Sequence, residues 1–177
     1  MTSILKVSTI QNTAGGAPTA ADLGLNVTGS VIQVKRFEPP VTSASVTNYV
    51  NGQDVATTSN TTSLWTANFT PLSSSSKILG IYQSQEDGQG TLGWTVHSCF
   101  VGSTLINSTM RFLRESVSEP YSQGFTFEYT HGTTSQITFD MRYGSTAAIL
   151  ILLNRTNGST NSSLRHSTSL TLMEIAG

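Results

Sequence analysis

His97 and Cys99 stand two residues apart in a run, Gly93 to Val101, whose residue types favour a strand, so their side chains share one face. With His131 or His166 as further donors they could hold a divalent metal. The plainer chemistry makes Cys99 a small apolar core group and His97 a packed neighbour, and that is the expectation. The acid pair Glu86-Asp87 runs into Gly88 and reads as a solvated loop tip. Glycoside cleavage would need two carboxyls about 5–9 Å apart across a groove. Glu115, Glu119, Glu128, Asp140 and Glu174 are dispersed and read as partners in surface salt bridges. The chain carries no G-x-S-x-G elbow, no H-E-x-x-H pair and no glycine loop leading into a helix that would aim amides at a phosphate. With no converging set of acid, base or metal groups, neither enzymatic activity nor a cofactor is expected.

Binding chemistry is easier to find. Trp65, Trp94, Tyr49, Tyr121 and Tyr143 could stack on sugar rings while nearby Ser, Thr and Asn side chains supply hydrogen bonds. Trp65 alternates with Ala67 and Phe69, and Trp94 with Val96, so both tryptophans read as core residues. Tyr49, Tyr121 and Tyr143 remain as candidate contacts for a glycan.

Charge excludes other partners. Nine basic and ten acidic residues leave a net charge of −1, so no long-range field draws in a phosphate backbone or anionic lipid, and neither nucleic acid nor membrane is expected as a partner. Charged residues make up 11% of the chain, against about 25% in an ordinary soluble domain, while 25 Ser and 27 Thr supply a hydroxyl-rich surface. The longest apolar run, Ala147 to Leu153, is far short of the roughly 20 residues a membrane helix needs. Lys6 is followed by polar residues, not by the apolar stretch of a secretory signal, so synthesis in a cytoplasm is expected. Cys99 is alone and can form no intrachain disulfide.

The elements that must position these groups are strands. From Val31 onward, short runs rich in Val, Ile, Thr, Phe, Tyr and Trp recur between turn residues, and the pattern predicts strands near 31–36, 46–50, 63–69, 77–83, 93–101, 109–114, 124–129, 136–143, 147–153 and 169–175. Asn51-Gly52, Asp87-Gly88 and Asn157-Gly158 read as loop tips, and Glu38-Pro39-Pro40 cannot continue a ladder. Phe125, Phe127 and Tyr129 share one face, as do Ile137, Phe139 and Met141, and these are core candidates. The segment Ala147 to Leu153 is apolar on both faces, which an antiparallel strand avoids unless something covers its second side. Ile149, Ile151 and Leu153 are therefore candidates for an interface within a homotrimer, with burial inside the monomer as the competing explanation. Residues 1–30 read as an extended arm, since Ile4, Leu5, Val7, Ile10, Leu23 and Leu25 are too sparse for an amphipathic helix and suit anchoring to another protein. The sandwich domain is expected over 31–177.

Four stretches carry a resemblance: Leu5-Lys-Val-Ser-Thr-Ile-Gln-Asn12, Gly29-Ser-Val-Ile-Gln-Val34, Phe69-Thr-Pro-Leu-Ser-Ser-Ser-Ser-Lys-Ile-Leu79 and Leu170-Thr-Leu-Met-Glu-Ile-Ala176. Together they resemble a group of virion structural proteins from aquatic tailed bacteriophages. The resemblance implies a jelly-roll-like antiparallel β-sandwich of the tumour-necrosis-factor-like, trimeric kind, with the N-terminal segment attaching it to the particle. Two positions on the virion follow as expectations. One is a capsid decoration or cement protein, head-fibre-like, contacting the major capsid protein. The other is a short tail fibre or receptor-binding tip contacting a tail protein and a host glycan. The absence of heptads or β-repeats for a shaft favours the first.

Overall fold

The computed structural model describes residues 28–39, 42–46, 55–90, 93–113, 120–146, 149–153 and 168–177. These form ten strands: β1 (Val31–Phe37), β2 (Thr42–Val46), β3 (Thr62–Phe69), β4 (Lys77–Gly90), β5 (Gly93–Val101), β6 (Thr104–Leu113), β7 (Pro120–Thr130), β8 (Ile137–Ser145), β9 (Ile149–Leu153) and β10 (Ser169–Ile175). No helix occurs among the described residues.

Alternation decides which side chains turn inward. Ile78, Gly80, Tyr82 and Ser84 point into the interior from β4, and Leu170 and Leu172 from β10; Trp65, Ala67 and Phe69 on β3 and Ile137, Phe139, Met141 and Tyr143 on β8 face them. Phe127 joins this core from β7, its ring stacked on Phe139 at 5.8 Å between centroids. Each such aromatic or aliphatic side chain contributes about 1.5–3 kcal/mol on burial, so the two facing layers are the main source of stability.

All pairings are antiparallel, and they build two sheets. The four-stranded sheet has the order β3-β8-β5-β6. In the six-stranded sheet β4 is the spine. Residues Lys77 to Gln83 pair with both β10 and β7, which must lie on opposite edges of β4. Beyond the end of β10, β9 takes over the same edge, pairing with Glu86 to Gly90. β1 then flanks β10, and β2 flanks β9. Leaving aside β2 and β9, the chain runs through β1, β3, β4, β5, β6, β7, β8 and β10 so that the sheets read β1-β10-β4-β7 and β3-β8-β5-β6, the winding of a jelly roll. The Asn107 side chain, donating to the Thr126 carbonyl at 2.7 Å, ties the β6 edge of one sheet to the β7 edge of the other.

The largest departure from expectation is β4. Asp87-Gly88 is no loop tip: the strand runs on through Gly90 because β7 pairs with Asp87 on one side and β9 with Asp87 and Gly88 on the other. Ladder bonds on both edges outweigh the turn preference of an Asp-Gly pair. β6 also begins earlier than expected, at Thr104, because Gly102 adopts a φ of 60° and closes a two-residue hairpin from Val101. The second strand lies over Thr42–Val46, ahead of the expected 46–50, whose last four residues, like Asn51-Gly52 and Asn157-Gly158, lie outside the described residues.

Candidate functional site

Glu174 follows Leu170 and Leu172 on the inward face of β10, so it is completely buried, not a surface salt-bridge partner. The structure surrounds it with donors. Gln33 Nε2 on β1 donates to Oε2 at 2.6 Å. Leu72 N donates to both carboxylate oxygens at 2.9 Å, and Ser73 N to Oε1 at 2.9 Å. Ser76 Oγ donates to Oε1 at 2.5 Å. Burial alone would raise the carboxyl's pKa, but the bonds from Ser76, Leu72, Gln33 and Ser73 outweigh it and hold the group below its ordinary 4.5. The β3–β4 connection, Thr70 to Ser76, is thereby folded around a buried anion.

Ser76, Glu174 and His131 meet here, with Ser76 Oγ 3.2 Å from His131 Nε2. Their order is not that of a nucleophilic triad, in which the acid orients the histidine and the histidine takes the serine proton. Glu174 binds the serine itself, His131 Nδ1 lies 2.8 Å from the Thr133 carbonyl, and Ser76 is buried. The arrangement braces loops.

A second polar group lies inside the sandwich. The Tyr82 and Tyr143 hydroxyls bond to one another, Tyr82 OH is 3.4 Å from His97 Nδ1, and the His97 and Tyr143 rings are 4.2 Å apart. Tyr143 is 1% exposed and presents no face to a sugar, which removes it as a glycan contact: its position two residues beyond Met141 puts it on the core side of β8. Cys99 is equally buried; loss of water, and secondarily the charge of Asp140, pushes its thiol up to about 12. No three His, Cys, Asp or Glu side chains among the described residues are grouped to hold a metal ion. Among the described residues, exposed ion pairs form between Lys77 and Glu128 at 2.7 Å and between Arg36 and Glu38 at 2.9 Å, and Arg142 pairs with Asp140 at 2.7 Å in a largely buried setting.

The outer faces differ. On the six-stranded sheet, Val34, Met173 and Leu79 lie side by side across β1, β10 and β4, with Ile81 and Ile175 beside them. Val34 is 56% exposed and the other four are partly so. On the four-stranded sheet, Val96 and Phe100 are covered by Ala56, with Leu105 and Met110 against them. On the same face, Trp94 and Phe112 sit opposite one another on β5 and β6, 39% and 42% exposed, their rings 5.1 Å apart and inclined at 65°. Trp94 is therefore not the core residue its alternation with Val96 suggests. Among the described residues, Ala56 packs over Val96 and none packs in the same way over Trp94.

The arm residues Ile4, Leu5, Val7, Ile10, Leu23 and Leu25, and Tyr49, lie outside the described residues. Tyr121 falls on β7 in register with Glu86. Ile149, Ile151 and Leu153 fall on β9, a strand flanked by β4 on one edge and β2 on the other. Sequence reasoning missed Glu174 and the Trp94–Phe112 pair. The first was legible in the alternation Leu170, Leu172, Glu174; the second depends on which positions of the outer face a distant residue, Ala56, packs against.

No protein-family model matches the chain, and no curated protein matches it in sequence. Among solved structures, the infectious bursal disease virus VP2 subviral particle is similar at a TM-score of 0.39 and 12% identity over 84% of this chain. A structure of the Gx strain of the same virus is similar at 0.31 and 13% over 82%. The chain spans 39% and 36% of the length of those two chains. The strand order, and not a likeness at this level, identifies the jelly roll.

Proposed function

We propose that this chain is a trimeric, non-enzymatic structural protein on the outer surface of a tailed-phage virion, a capsid decoration or cement protein docked through its N-terminal arm. The observation that carries the packing of copies is the outer face of the six-stranded sheet. An antiparallel sheet facing water turns polar side chains outward, whereas Val34, Leu79, Ile81, Met173 and Ile175 form an apolar stripe across three adjacent strands, bordered by Arg36, Thr171, Lys77 and Glu128. β9, with Ile149, Ile151 and Leu153, extends the same sheet. Three copies turning this sheet toward a common axis would cover it within a closed ring. The virion setting rests on the resemblance of the four sequence stretches.

The sandwich starts where Gly29 N donates to the Ala176 carbonyl and Ala176 N to that of Ser30, both at 2.8 Å. The arm, residues 1–30, precedes β1, and its sparse apolar side chains suit a groove on a capsid subunit. Three arms on one trimer make the second and third contacts intramolecular, so each arm can bind weakly.

Sedimentation of the full chain tests the assembly. A trimer is expected, and Leu79→Asp with Ile81→Asp should give a folded monomer, because carboxylates buried without partners are costly. A wild-type monomer would overturn the trimer. Electron microscopy of particles tests the setting: density repeated over the capsid is expected, and removal of residues 1–30 should leave trimers that no longer join it. Density confined to the tail would instead make the protein a short fibre or receptor-binding tip.

A further inference from the structure

We propose that Trp94 and Phe112 form a binding corner for a neutral saccharide, one ring as floor and the other as wall. The site goes beyond the structural role and rests on that reading only in placing the four-stranded sheet away from the contacts between copies. The two residues face one another in register across β5 and β6, and their rings meet edge to face at 65°, so they form a notch and not a flat surface. Trp94 is held by its backbone, with Trp94 N donating to Thr146 Oγ1 at 2.8 Å and Thr146 N to the Trp94 carbonyl at 3.0 Å. The backbone that carries the Trp94 ring is thus anchored to Thr146 before a ligand arrives, which limits the part of the corner that binding has to order.

Size and charge choose the occupant. Aromatic side chains bury about 150–250 Å² each, so two at roughly four-tenths exposure offer on the order of 150–200 Å². A stable interface with a second copy needs about 800 Å² on each partner. The available area is that of one or two sugar rings. A pyranose has a face of C–H groups that lies against the negative face of an aromatic ring, and hydroxyls at its rim that remain in water or meet polar neighbours such as Thr146. A net charge of −1, with only nine basic residues in the chain, gives no general attraction for a nucleic acid or a sulfated chain. The same two rings left uncovered on a monomer, while Ala56 covers Val96 and Phe100 on the same face, mark the one stretch of this outer face where large aromatics meet solvent among the described residues.

The experiment uses the full-length protein on an array of neutral hexose and N-acetylhexosamine oligosaccharides beside sialylated and sulfated ones. Tryptophan emission serves as a second readout, since Trp65 is buried and Trp94 is the exposed reporter. Binding to neutral glycans with a blue shift is expected. Trp94→Ala and Phe112→Ala should each weaken it about tenfold or more, the equivalent of ~1.4 kcal/mol, with Trp94→Tyr retaining part of the affinity. No binding to any neutral oligosaccharide, or binding that both alanine variants leave unchanged, would overturn the proposal. A change in oligomeric state in Trp94→Ala would also overturn it, by making the corner a contact between copies. Loss of the trimer through the opposite sheet, by Leu79→Asp and Ile81→Asp, should leave the affinity of a single corner intact, so the two proposals fail separately.

Discussion

Gln33 and Glu174 are paired in register across β1 and β10, and the Gln33 amide donates to the Glu174 carboxylate at 2.6 Å although 141 positions separate them in the chain. The same amide nitrogen donates to the Thr70 carbonyl at 2.9 Å. Three of the four stretches that carry the sequence resemblance, around Gln33, around Leu72 to Ser76 and around Glu174, therefore meet at one buried carboxylate. What those stretches have in common is a structural joint that closes the first strand, the β3–β4 connection and the last strand onto one another.

Replacing Glu174 with Ala should be among the most damaging single changes in the molecule. Leu72 N, Ser73 N, Ser76 Oγ and Gln33 Nε2 would lose a common acceptor, at a cost of about 3 kcal/mol or more. Gln33→Ala removes the two bonds that its amide makes to Glu174 and to the Thr70 carbonyl and should cost about 1–2 kcal/mol. Urea unfolding followed by circular dichroism reads both, and a wild-type midpoint for Glu174→Ala would show the joint to be unimportant.

The same carboxylate makes stability depend on pH. Its pKa in the folded protein lies below the ordinary 4.5, so its contribution is fully present above 4.5 and is lost as pH falls through the lower folded value. Wild-type protein should therefore lose stability on acidification below 4.5 more steeply than Glu174→Gln, which has no proton to take up there. Unfolding midpoints for the two proteins, measured from neutral pH downward, should converge; parallel curves would exclude Glu174 as the titrating group.

Gly80 is needed for close packing. A Cβ at this position on β4 would overlap the ring of Phe127, its partner in register on β7. Gly80→Ala should cost about 1–3 kcal/mol through overpacking. Phe127→Leu in the same molecule should recover part of that, a coupling that a double-mutant cycle measures. Additive losses would mean that the ring does not meet the new methyl group.

Side-chain periodicity alone identified an all-β chain with its strands near their true places, because alternation is a local property: Ile137, Phe139 and Met141 face inward wherever the strand is docked. The same rule, extended two residues, already placed Tyr143 inside, and extended from Leu170 and Leu172 it placed Glu174 there too. A carboxylate at an inward position could be accepted only once its donors were known, and those come from β1 and the β3–β4 connection. Asp87-Gly88 shows the limit in another form, since a local turn preference yields when strands on both edges complete the ladder. Trp94 shows it again, since Ala56, distant in the chain, packs on Val96 and Phe100 while Trp94 on the same face is 39% exposed. Strand identity and facing were thus determined by the sequence, through the two-residue repeat of an extended backbone. The jelly-roll winding, the buried anion and the uncovered aromatic corner were decided by tertiary structure, because each depends on groups far apart in the chain reaching one place.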